Sequence, residues 1–126
     1  QQYTNAIGTR DPKADLASQL IAFKYLSKNW DGENGIAPNE KAIADALRFL
    51  DLLPFDTSKP CTLIAGDGEV GFYWRKEEKF VDVSFYGDDH IYYFIRMKSP
   101  YFNEADAVYY TGRSLPKNLV DALELL

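Results

Sequence analysis

One cysteine and one histidine in 126 residues leave little of the side-chain chemistry on which most catalytic and metal sites depend. With Cys61 alone, no disulfide can form within the chain, so a reducing, cytoplasmic setting is the expectation. The chain opens Gln1-Gln2-Tyr3 without a methionine, which leaves room for a removed leader. There is no glycine-rich phosphate loop, no paired metal-ligand motif and no nucleophile elbow. No apolar run approaches the length of a membrane span. Positive charge is also short: Lys plus Arg number 14 against 19 Asp plus Glu, a net charge of −5, and no basic patch stands out. Direct binding of nucleic acid, which needs cations to neutralise phosphates, is therefore not expected. An acidic surface suits solubility or a basic protein partner.

What is present describes a single α+β domain over residues 1–126, with residues 1–10 as a polar arm of no clear period. Asp11-Pro12 pairs a capping carboxylate with proline at the first helical position. Leu16, Leu20, Phe23 and Leu26 then form one stripe of a helix expected to reach about Lys28. A second helix carries Ile43, Leu47, Leu50 and Leu53 beside Ala42 and Ala46, and Pro54 ends it. From Cys61 the period changes to two. Cys61 itself reads as a small buried residue opening a strand. The strands hold Leu63; Val70, Phe72 and Trp74; Val81, Val83 and Phe85; and Ile91, Tyr93, Ile95 and Met97. Turns at Gly66-Asp67-Gly68-Glu69, Lys76-Glu77-Glu78-Lys79 and Gly87-Asp88-Asp89 separate them. The expected fold is two helices packed on a four-stranded antiparallel sheet. Ser99-Pro100 breaks it, Ala107 to Thr111 offers a fifth strand, and Leu115-Pro116 opens a short last helix.

If Ile91, Tyr93 and Ile95 face the helices, then Tyr92, Phe94 and Arg96 face away, as do Tyr73, Arg75 and Tyr86 on neighbouring strands. Tyrosine and arginine are favoured at interfaces because they bury area while satisfying a polar end. Either the C-terminal segment with Tyr101, Phe102, Tyr109 and Tyr110 folds over this face, or a partner protein or a second copy does. An aromatic platform for nucleic acid would need a positive groove, and the charge has the wrong sign.

Between the two helices lies the stretch from Asn29 to Glu40, N-W-D-G-E-N-G-I-A-P-N-E. Asn29, Asp31, Glu33 and Glu40 fall at the ligand spacing of a helix–loop–helix calcium site. The pattern departs from that site where Asn29 replaces an aspartate and Asn34 replaces the invariant glycine. A capped turn explains the same residues. Gly32 or Gly35 would end the first helix, Asn39 would cap the second with Glu40 against its dipole, and Trp30 would close the corner or serve as a recognition side chain. His90, next to Asp88 and Asp89 at a hairpin end, reads as an ordinary surface residue.

Asn29-Trp30-Asp31-Gly32, Gly35, Pro38 and the alanine-rich helix ending Leu52-Leu53-Pro54 resemble a group of small bacterial and phage proteins. Asp67-Gly68-Glu69-Val70, Trp74 and Gly87-Asp88 before Ile91-Tyr92-Tyr93 fit the same pattern, so the resemblance covers Asn29 to Arg96. In that group a bulky residue usually stands at the place of Glu33 and a small one follows Gly35. The resemblance thus implies a structural corner rather than an ion site, and it carries no activity. The functional expectation is a non-catalytic protein-binding module of the antitoxin, immunity or phage-inhibitor kind. Its contact residues would be Trp30, Tyr73, Arg75, Tyr92, Phe94 and Arg96, and its partner a basic toxin or nuclease, or itself as a homodimer. The alternatives are a calcium-binding helix–loop–helix protein and an enzyme built on carboxylates alone.

Overall fold

The computed structural model describes residues 11–98 and 101–126; the expected N-terminal arm and the Ser99-Pro100 break lie outside them. Helix α1 (Pro12–Ala22) starts as its sequence requires, with Asp11 Oδ1 accepting from Lys13 N at 3.0 Å and Pro12 in the first turn. It ends sooner than the apolar stripe suggests. The chain tightens into a 3-10 turn at Phe23–Tyr25, and Leu26 leaves in an extended conformation. Gly32 and Gly35 therefore do not terminate this helix. Helix α2 (Glu40–Leu52) is capped by Asn39, whose Oδ1 accepts from Ala42 N at 2.7 Å. It stops at Leu53, extended as a residue before proline tends to be.

The sheet is a five-stranded antiparallel meander in the order β1-β2-β3-β4-β5: β1 (Cys61–Ile64), β2 (Val70–Lys76), β3 (Lys79–Phe85), β4 (His90–Met97) and β5 (Phe102–Tyr109). Helix α3 (Lys117–Glu124) follows. The apolar parity of β2, β3 and β4 points to one side, where Val70, Phe72, Val81, Val83, Phe85, Ile91 and Ile95 are fully buried under the helices. Phe49 of α2 is the hub of this core: its ring lies 5.4 Å from Phe72, 5.8 Å from Phe85 and 6.3 Å from Trp74. The buried face of α2 is wider than the single expected stripe, since Phe49 is fully buried while Leu47 is only half-buried. Leu119 and Leu123 of α3 complete the roof, and Tyr93 donates to Asn118 Oδ1 at 2.8 Å.

Three details differ from the sequence-based expectation. The fifth strand is Phe102–Tyr109, not 107–111, because pairing along β4 draws in a segment with poor strand propensity of its own. After β5 the chain returns to the helical side: Tyr110 packs 5.2 Å from Phe85 and its hydroxyl donates to Asp45 O. Cys61 is exposed rather than buried, because it stands on an edge strand opposite Tyr73 with no helix above it. No helix among the described residues is long and apolar enough to cross a membrane.

Candidate functional site

Strand register converts the sequence into rows on the side of the sheet away from the helices. Arg75, Phe80, Arg96 and Asn103 stand abreast. The next row holds Tyr73, Asp82, Phe94 and Ala105, and the row after it Gly71, Ser84, Tyr92 and Ala107. Glu69 and Tyr86, just beyond the ends of β2 and β3, extend the same face. Five of the expected contact residues, Tyr73, Arg75, Tyr92, Phe94 and Arg96, therefore share one surface. The C-terminal segment, which could have covered it, lies at the sheet edge as β5 with Tyr109 70% exposed.

The two ends of the face differ in charge. At one end Phe80 is the centre, with Tyr73 stacked on it at 6.3 Å and Phe94 tilted at 6.2 Å. The guanidinium carbons of Arg75 and Arg96 lie 5.2 and 5.6 Å from the Phe80 ring centroid. Each such contact contributes about 0.5–1 kcal/mol at an exposed site. Neither arginine has an ion-pair partner among the described residues. Phe80 lies outside the expected contact set, although the parity that buries Val81 sends it outward.

At the other end a wide-mouthed trough of about 620 Å³ lies between Glu69, Asp82, Tyr86, Tyr92 and the small side chains of Ala105 and Ala107. Ser84 donates its hydroxyl to Glu69, and Tyr92 donates to Asp88. Burial raises the Asp82 carboxyl above its ordinary value, the negative charge of Glu69 adds to this, and the backbone N–H of Phe94 only partly opposes it. Tyr86 donates to Asp67 Oδ2 at 3.1 Å, and burial together with the charges of Glu69 and Asp67 pushes its hydroxyl up to about 12. Tyr86 and Tyr92 meet edge to face at 5.3 Å.

The loop between α1 and α2 is a separate feature in which Asn29, Trp30 and Asp31 find partners on the loop's own backbone. Asp31 Oδ1 accepts from Glu33 N at 2.9 Å and Gly35 N at 2.8 Å, and these bonds hold its carboxyl below the ordinary range. Asn29 Oδ1 accepts from Asn34 N at 2.6 Å, and the Trp30 indole N–H donates to Ile36 O at 3.0 Å. Left-handed conformations fall at Asn29, Gly32 and Asn34, residue types that tolerate them. A Cβ on Gly35 or Gly66 would lie 2.5–2.6 Å from the Asp31 carboxylate, so both glycines are needed for the approach. Ile36 N donates to Gly66 O, which ties the loop to the β1–β2 turn. Glu40 sits in the first turn of α2, as the capped-turn reading has it. Among the described residues no three His, Cys, Asp or Glu side chains converge as an ion site. Compared with known protein families, with curated proteins and with solved structures, the chain has no match.

Proposed function

We propose that this chain is a non-catalytic binding protein of the antitoxin, immunity or inhibitor kind, and that the open face of its sheet grips a polypeptide, either a target protein or a second copy of the chain. The observation that carries this reading is the set Tyr73, Phe80, Phe94, Arg75 and Arg96, packed around Phe80 with the rings partly exposed and both arginines exposed. Rings and guanidinium groups held rigid by their neighbours lose little entropy on contact, and they dominate interface energetics. Small size and acidity add an analogy to proteins that neutralise others, and no more. The single cysteine suits a reducing, cytoplasmic setting.

The carboxylate-enzyme reading has its best case in Glu69 and Asp82, but a wide-mouthed trough on a sheet surface does not exclude water from a reacting bond. Calcium is not part of the proposal, because both polar contacts of Asp31 Oδ1 are with backbone N–H groups. A response of Trp30 fluorescence to millimolar calcium would bring it back.

Site-specific photocrosslinking in host extract tests the proposal. A crosslinker replacing Phe94 should capture one discrete protein that also binds the purified chain. The same group at Ala44, exposed on α2, should not. Equal capture from both positions, or none from position 94, would overturn it.

A further inference from the structure

The open face carries both signs of charge, one at each end along the strands, and this bears on what covers it. A uniformly basic partner would meet Arg75 and Arg96. A uniformly acidic one would meet Glu69 and Asp82. Resting on the reading of this face as a polypeptide-binding surface, we infer that its occupant is a second copy of the same chain, stacked face to face about a two-fold axis running across the strands.

The choice of axis follows from register. A two-fold axis parallel to the strands would lay the Arg75 end of one copy on the Arg96 end of the other, placing four unpaired guanidinium groups together. An axis across the strands, passing between the Asp82 row and the Ser84 row, keeps each strand over its own counterpart and reverses the rows. Arg75 then faces Glu69 of the second copy, both being on or next to β2. Phe80 faces Tyr86, one at each end of β3. The bulky Tyr73 meets Gly71, where there is no side chain, and Asp82 lies over the position of Ser84, whose hydroxyl stays buried on Glu69 of its own chain. Arg96 faces His90, so the charge pairing of this arrangement rests on Arg75 and Glu69, and every contact occurs twice, as an isologous interface demands.

Geometry agrees with this arrangement. Sheets stack about 10 Å apart with strand directions within roughly 30° of each other. The rows and strands span about 20 Å in each direction. That footprint is about 400 Å² before side-chain relief is counted, against the roughly 800 Å² per partner of a standard stable interface.

The decisive experiment is a charge swap read by sedimentation. Along β2, Arg75 and Glu69 are six residues apart, about 20 Å, so they cannot pair within one chain. Wild-type protein should sediment as a dimer at micromolar concentration, and Arg75→Glu should weaken dimerisation at least ~10-fold. Adding Glu69→Arg to Arg75→Glu should restore it, because the reversed pair again faces its complement. A second measurement needs no variant: in a mixture of isotope-labelled and unlabelled wild type, a filtered NOE should connect the rings of Phe80 and Tyr86 of different chains. A monomeric wild type, a dimer indifferent to Arg75→Glu, or a dimer lacking that NOE would each overturn the inference. A monomer whose position-94 crosslinker still captures another protein would leave the binding reading intact. A monomer that captures nothing would end both.

Discussion

On the covered side of the sheet Phe72, Phe85 and Ile91 are fully buried beneath the helices, whereas their immediate neighbours Tyr73, Tyr86 and Tyr92 keep part of each ring in solvent on the other side. The same strands supply both sets, and their ring content is similar. Burial contributes about 1.5–3 kcal/mol for each large apolar side chain, so the covered set stabilises the fold. The open set is held mainly by cross-strand contacts, worth about 0.2–1 kcal/mol per pair, and each ring keeps only part of its area available to a partner. Parity along the strand, not residue type, decides which role an aromatic residue takes.

The sharpest way to test that contrast is to truncate one ring on each side. Phe49→Ala removes the hub over Phe72, Phe85 and Trp74 and should cost about 3–5 kcal/mol in a urea melt. Phe94→Ala should cost less than about 1 kcal/mol while weakening association. Equal losses would mean that the open face is packed after all. Gly71→Ala probes an exception: Gly71 lies in an open-face row, yet an added Cβ would fall 1.9 Å from Val83 O, a main-chain atom of the adjacent strand. We expect a loss of about 2–3 kcal/mol there, comparable with a core substitution.

A smaller effect separates the loop from both faces. Gly66→Ala should lower the melting temperature by crowding the Asp31 carboxylate, and Asp31→Ala should lower it by freeing the N–H groups of Glu33 and Gly35. Adding Gly66→Ala to Asp31→Ala should then cost less than Gly66→Ala does alone. Strict additivity would show that the two do not meet.

Much of this architecture was legible in the chain because period-two alternation from Val70 to Met97 and the caps at Asp11 and Asn39 are local signals. The residues that share the open face followed from the same alternation. What could not be read was long-range. The strand at Phe102–Tyr109 exists through its pairing with β4, and Tyr110 turns inward because Phe85 and Asp45 receive it. The exposure of Cys61 depended on which strand became an edge. Glu69 was hidden inside an Asp-Gly turn signal, though its parity with Gly71 places it on the face. The charge polarity of that face emerges only once register sets Arg75 beside Phe80 and Arg96.

The smallest expected effect concerns Asp82, which sits on the open side but is half-buried there by Tyr73 and Phe94 in its own row. Its carboxyl is raised by burial and by Glu69, so the folded state resists ionising it. Below the ordinary carboxylate pKa the group is protonated in folded and unfolded chains alike, and no penalty arises. As pH rises through the ordinary value toward the raised folded one, the unfolded chain gives up its proton first, and stability falls until both states are ionised. Asp82→Asn cannot ionise and should escape that fall. At neutral pH and at concentrations where the chain is monomeric, it should melt on the order of 1–2 °C above wild type, with the difference vanishing in acid. A residue that lowers monomer stability at the centre of the open face is what the contrast between the two sides requires. A lower melting temperature for Asp82→Asn at neutral pH would instead make Asp82 part of the fold's own support.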